Sequence, residues 1–180
     1  MLKNIKNVAI DVDGTLTDGM YSISSNEIIT KNFYTRDFAA LERILIKGYN
    51  VIIITSSSGE CISAKLKSNK FLSKYNNLFI ISAIENKAAF IEDLRKGKFA
   101  IYCPIRLRVF TLKFDWKELV YIGDAGNDLE SMKLAGYSAC PSDAEKPILK
   151  IAKYVSSCCG GHGAVADSVK RLLEIDNEKG

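Results

Sequence analysis

Asp11 and Asp13 stand two residues apart, where a short apolar, β-branched run from Val8 to Val12 reaches Gly14. If the extended geometry persists through them, both carboxylates project toward the same side. Two anions that close need a cation or a shared proton. Asp124 ends a second apolar run, Leu119 to Ile122, through Gly123, and offers a third carboxylate. Three acids with no His or Cys cluster beside them make an all-oxygen donor set, which suits magnesium. Magnesium would in turn hold a phosphate. With the metal and a lysine neutralising the phosphate, a carboxylate can attack phosphorus in line and divide hydrolysis into two easier steps. Asp11 is expected as that nucleophile. Asp13 is then the group that protonates the leaving oxygen and afterwards takes a proton from the attacking water. The competing reading of the pair is a solvated turn carrying two acids.

Further polar residues lie at the ends of other apolar runs. Thr55-Ser56-Ser57 follows Asn50 to Ile54 and presents hydroxyls and turn N–H groups suited to phosphate oxygens. Thr55 fits a helix cap equally well. Lys87, after Asn86, lies near a helix start, where its charge is mildly unfavourable against the helix dipole. A phosphate-binding role for it competes with a solvated lysine. Asn127 and Asp128 are expected behind the metal ligands, although Asp128 also suits the first turn of a helix. His162 is the single histidine, in Gly160-Gly161-His162-Gly163, and either touches substrate or sits exposed in a loop.

The elements that must position these residues alternate. Apolar runs at Val8 to Val12, Asn50 to Thr55, Leu78 to Ile81, Leu119 to Ile122, Tyr137 to Cys140 and Lys153 to Val155 read as strands. Helical patterns cover Glu60 to Ser68, Asn86 to Lys96, Asp128 to Ala135 and Ala164 to Leu173. An earlier helix is capped by Asp37, buries Leu41, Ile44 and Leu45, and stops at Gly48. The pattern predicts a Rossmann-like α/β fold, a doubly wound parallel sheet with ligands outside the carboxyl ends of its strands. Met20 to Ser24 and Ile28 to Tyr34 read as an inserted β-hairpin, spanning about 18–35 with its flanks. Phe99 to Phe114 fits neither a clean helix nor a clean strand, and the segment of about 98–114 stands as an unusual addition.

At 180 residues, one domain over 1–180 with no large cap is the expectation. Charged residues make up 26% and the net charge is +4, with lysines and arginines scattered rather than clustered. Nucleic acid is therefore not expected as a partner, while a small phosphorylated metabolite suits a mildly positive surface. Met1 to Asn7 is short and polar, without the layout of a signal peptide or membrane span, so a cytoplasmic location with no membrane contact is expected. Five cysteines without a CxxC pair read as reduced thiols, mostly buried.

Taken together, the motifs resemble the haloacid dehalogenase superfamily of phosphohydrolases. The carriers are Asp11-Val12-Asp13-Gly14-Thr15, Thr55, Lys87 and Gly123-Asp124-Ala125-Gly126-Asn127-Asp128. Within it, Thr17-Asp18-Gly19, Phe33, Arg36-Asp37, Asn86-Lys87 and Gly160-Gly161-His162-Gly163-Ala164-Val165 are similar to the capless ulosonate-phosphate phosphatases and to a related domain of acylneuraminate cytidylyltransferases. The likeness spans nearly the whole chain. It implies Mg2+ held by Asp11, the main-chain carbonyl of Asp13 and Asp124. It also implies phosphate on Thr55 and Lys87, and a homotetramer in which the hairpin of one subunit helps to close a neighbour's site.

The chain departs from that pattern at Ser57 and Ala166, where arginines suited to an acidic sugar would stand. Arg36, Arg106 or Arg108 could replace the lost charge. The expected activity is a magnesium-dependent phosphomonoesterase on a small sugar phosphate such as an ulosonate phosphate. The alternative is a non-catalytic phosphatase-like module for oligomerisation or for regulation of a sugar-activating enzyme. A mutase ranks last, since between Asp13 and Thr55 there is room only for a hairpin and a helix, not for an enclosing cap.

Overall fold

A computed structural model describes residues 5–68, 74–103 and 108–177. Strand β1 (Asn7–Ile10) leads through an irregular turn, Val12–Leu16, to the hairpin β2 (Ser22–Ile23) and β3 (Ile29–Thr30). Helix α1 (Thr35–Ile46), β4 (Asn50–Ile54), α2 (Glu60–Ser68), β5 (Leu78–Ile81) and α3 (Lys87–Arg95) follow. A second hairpin, β6 (Lys96–Cys103) and β7 (Arg108–Lys113), precedes β8 (Leu119–Ile122), α4 (Leu129–Leu134) and β9 (Tyr137–Cys140). The chain continues through α5 (Lys146–Ile151), β10 (Tyr154–Val155) and α6 (Ala164–Asn177).

Six strands form one sheet in the order β10-β9-β8-β1-β4-β5, and every pair is parallel. The two-residue side-chain period divides each central strand between two cores. Val8, Ile10, Val51, Ile53, Val120 and Ile122 face a cluster completed by α1, α2 and α6. Ala9, Ile52, Ile54, Leu119 and Tyr121 face the other, completed by α3, α4 and α5. Apolar residues on both faces are what a strand covered by helices on either side requires, so the sheet is doubly wound as the sequence predicts.

Several local expectations change. The first strand ends at Ile10, and Asp11 already begins a turn in which Thr17 N–H reaches Val12 O at 2.9 Å. Asp37 does not cap its own helix. Helix α1 begins at Thr35, and the buried Asp37 carboxylate accepts from Ala166 N–H at 2.7 Å, so it caps α6 from a neighbouring element. The described residues of the segment around Phe99 to Phe114 lie largely in two antiparallel strands, β6 and β7, with an irregular register between Lys96 and Ala100. That bulge hides the strand period. Helix α5 has no sequence forecast, because six residues are too few to show a helical period. Of the described cysteines only Cys140 is buried, Cys61 and Cys158 are half-buried and Cys159 is exposed, so the expectation of mostly buried thiols fails.

Candidate active site

Parallel strands put their carboxyl ends on one edge, and β1 lies at the point where the chain reverses its direction of winding, with β4 and β5 on one side and β8 to β10 on the other. A crevice opens at such a switch point. Asp11, Thr55 and Asp124 all follow strand ends there: Asp11 N–H donates to Ile122 O (2.9 Å) and Thr55 N–H to Ile81 O (2.9 Å).

Asp11 and Lys87 are both buried, and Lys87 Nζ donates to Asp11 Oδ1 at 2.5 Å and to Asp128 Oδ1 at 2.8 Å. The solvated reading of Lys87 is thereby excluded. Asn86 starts α3 by accepting from Ala89 N–H, which sets the ammonium of the next residue into the crevice. Asp128 also accepts from the Tyr121 hydroxyl (2.7 Å) and, through Oδ2, from the main-chain N–H of Asp124 (3.0 Å) and of Ala125 (3.2 Å). It thus organises the loop that carries Asp124, whose Oδ1 accepts from the Thr15 hydroxyl at 2.8 Å.

One carboxylate oxygen each from Asp11, Asp124 and Asp128 lie within 4.8 Å of one another. Three acids share a single ammonium, so if all are ionised two negative charges are left without a counterpart. Burial, reinforced by the charge of Asp128, pushes the Asp11 carboxyl well above its usual range, even against the pull of Lys87. Burial likewise pushes Asp124 up to about 6, although the Thr15 hydroxyl acts the other way. Burial and the Asp128 charge raise the Tyr121 phenol, so it remains a donor. A divalent cation would remove this excess negative charge, and an all-oxygen donor set fits magnesium.

The carboxylate of Asp13 stands apart from this trio, a correction to the expectation that Asp11 and Asp13 point the same way. The strand ends at Ile10 and the chain turns from Val12 onward, and at Gly14 φ is +88° and any Cβ would strike the Asp124 carboxylate. Asp13 instead takes Lys31 Nζ on Oδ1 (2.5 Å) and Ser57 Oγ on Oδ2 (3.1 Å). Thr55 is buried and caps no helix: its hydroxyl accepts from Ser57 N–H (3.1 Å) and pairs with Ser57 Oγ (2.9 Å) in a tight turn ahead of α2. Exposed Asn127 donates to Ser56 Oγ at 3.1 Å and ties that turn to the Asp124 loop. His162 is exposed, its Nδ1 2.8 Å from Gly160 O, and its loop packs through Gly160, where a Cβ would meet Gly14 O.

Sequence reasoning missed Lys31, Tyr121 and Thr15 as site residues. Tyr121 sits in a strand whose apolar run masks one functional hydroxyl, and Lys31 carries no signal beyond its place after the hairpin. Arg106 and the side chain of Arg108 lie outside the described residues. Arg36 stacks its guanidinium 5.8 Å from the Tyr34 ring and lines a separate groove with Arg43, Ala166 and Lys170.

Residues 106–167 match the family described as haloacid dehalogenase-like hydrolase. The chain is 29% identical to an N-acylneuraminate cytidylyltransferase of Oncorhynchus mykiss over 94% of its own length, but spans only 35% of that protein. It is 28% identical to the 3-deoxy-D-manno-octulosonate 8-phosphate phosphatase of Salmonella typhi, over 99% of this chain and 86% of that one. A solved structure of the phosphatase of that name from Moraxella catarrhalis, in complex with a magnesium ion, a phosphate ion and a KDO molecule, superposes with a TM-score of 0.77 at 25% identity, over 96% of this chain and 88% of that one. Among the described residues no helix is long and apolar enough to cross a membrane. In part of its length the chain matches the haloacid dehalogenase-like hydrolases, and in sequence and fold it is similar to the 3-deoxy-D-manno-octulosonate 8-phosphate phosphatases.

Proposed function

We propose that the protein is a magnesium-dependent phosphomonoesterase that works through an aspartyl-phosphate on Asp11, with Asp13 as acid and base. The observation that carries this reading is the buried Lys87 ammonium between Asp11 and Asp128, beside Asp124, at the switch point of the sheet. Asp11, Asp124 and the main-chain carbonyl of Asp13 would hold the metal, with Asp128 and Asn127 behind them. Mg2+ supplies charge neutralisation for the phosphoryl oxygens and orients the ester. The Asp11 carboxylate attacks phosphorus as Asp13 protonates the departing oxygen. Asp13 then deprotonates the water that releases phosphate. Thr55, Ser56 and Lys87 hold the phosphoryl oxygens.

The substrate is read as a small sugar phosphate, with an ulosonate phosphate favoured by the names of the similar phosphatases. The hairpin exposes Met20 (70%), Tyr21 (61%), Ile23 (60%) and Ile28 (60%), more apolar surface than a free two-stranded ribbon normally leaves in water. This supports a homotetramer in which hairpins dock on neighbours. Residues 1–180 act as one domain, in the cytoplasm.

Phosphate release across a panel of sugar phosphates and p-nitrophenyl phosphate, with and without Mg2+, tests the reading. Release should require the metal and should vanish in Asp11→Asn, which stays folded. An Asp11→Asn variant as fast as the parent sinks the assignment. A second reading, a non-catalytic module that regulates a sugar-activating enzyme, draws on the likeness to one third of a cytidylyltransferase and on Ser57 and Ala166 in place of arginines. It predicts no metal-dependent release from any ester.

A further inference from the structure

Asp13 needs a fixed orientation to deliver a proton to a departing oxygen, and the turn that carries it is not regular secondary structure. Its two carboxylate oxygens are nevertheless both engaged, by residues from two different elements. Lys31, just after β3, places Nζ 2.5 Å from Oδ1, and Ser57, in the turn after β4, places Oγ 3.1 Å from Oδ2. We propose that Lys31 is a positioning residue for Asp13, an assignment that rests on the phosphatase reading above.

The burial of the pair points the same way. The Lys31 side chain is 12% exposed and that of Asp13 is 36% exposed, so the cation is set deeper than the acid and leaves the outer side of Asp13 open. Asp13 lines a cavity of about 390 Å³ together with Lys31, Ser57 and the apolar hairpin residues Tyr21, Ile23 and Ile29. A lysine free to choose would extend into water, since its ammonium is strongly hydrated. Lys31 instead turns inward onto the acid. The strand that leads into Lys31 is tied to α2, because Cys61 Sγ–H donates to Ile29 O at 3.6 Å.

With an oxygen held on each side, rotation of the carboxylate about Cβ–Cγ breaks at least one contact. Ser57 is itself fixed by Thr55 at 2.9 Å, so the phosphate turn and the hairpin grip the acid jointly. Ser57 is thus half of a clamp on the acid, and Lys31 supplies the other half. The step served is the first one: the Asp11–phosphorus bond forms, the phosphorus–oxygen bond to the leaving group breaks, and the proton of Asp13 goes to that oxygen.

The test compares kcat/KM on phenyl phosphate, whose leaving group needs that proton, with p-nitrophenyl phosphate, whose leaving group departs readily without it. Lys31→Ala should lower kcat/KM on phenyl phosphate by about 10²-fold and on the nitrophenyl ester about tenfold less. Lys31→Arg should recover most of the loss, because a guanidinium also grips a carboxylate. Ser57→Ala should give a smaller loss with the same bias, which keeps the test open if Lys31→Ala unfolds. Equal losses on the two esters in folded variants, or no loss at all, overturn the assignment of Lys31 while the parent's metal-dependent turnover stands. A parent that with Mg2+ releases phosphate from neither aryl ester and from no sugar phosphate overturns it together with the phosphatase reading.

Discussion

Lys87 is the residue on which the electrostatics of the site turn. Its ammonium is fully buried between Asp11 and Asp128, and replacing it by Met leaves those carboxylates facing each other in a dry setting. Removal of one partner from a buried ionic cluster costs about 3–5 kcal/mol. Lys87→Met is accordingly expected to unfold at a markedly lower denaturant concentration than the parent, with part of the loss restored by Mg2+. Equal midpoints would show that the three acids do not share the charge of Lys87. Asp11 and the Thr55 turn were legible as residues of one crevice because each stands at the end of a recognisable strand, whereas Lys87 was legible only as an open choice that its burial decides. Asp128 was legible only as an even choice between roles, since its four hydrogen bonds converge from Tyr121, Lys87 and its own loop. The separation of Asp13 from Asp11 was not legible, because the strand ends at Ile10 and the chain turns between the two acids, which spacing alone does not show.

At the scale of elements, Asp37 couples α1 to α6. Its Oδ1 caps the start of α6 through Ala166 N–H, while Oδ2 is buried without a partner among the described residues. Burial raises this carboxyl to about 6 against the pull of the α6 N–H groups. A folded-state pKa above the unfolded value adds stability that is complete below pH 4 and is lost as pH rises through about 6. Asp37→Asn keeps the acceptor and removes the titration. In urea melts from pH 8 to pH 4, the parent should therefore gain up to roughly 3 kcal/mol relative to Asp37→Asn. A difference that stays constant over that range would contradict this account. The helix cap assigned to Asp37 from sequence failed for a physical reason: a carboxylate two residues inside one helix reached the bare N–H groups of another, a pairing that only tertiary packing reveals. Strands β1, β4, β5, β8 and β9 were legible because burial on both faces gives continuous apolar runs, whereas the bulged β6–β7 hairpin gives no clean period.

For the whole molecule, the sheet and its two helical layers bring the site residues to one edge, and the hairpin is left with its apolar residues in water. Ile23→Lys and Ile28→Lys together should lower the mass measured by light scattering from that of a tetramer to smaller species. A parent that already has the mass of one chain would remove the assembly from the account. The central claim concerns covalency at Asp11, and trapping tests it most directly. Enzyme mixed with Mg2+ and a hydrolysable sugar phosphate is quenched in acid within a turnover, reduced with borohydride and mapped by mass spectrometry. The account predicts the reduced product of an acyl phosphate at Asp11, absent from Asp11→Asn. Turnover with no modification at Asp11, or with the phosphoryl group on another residue, would contradict it.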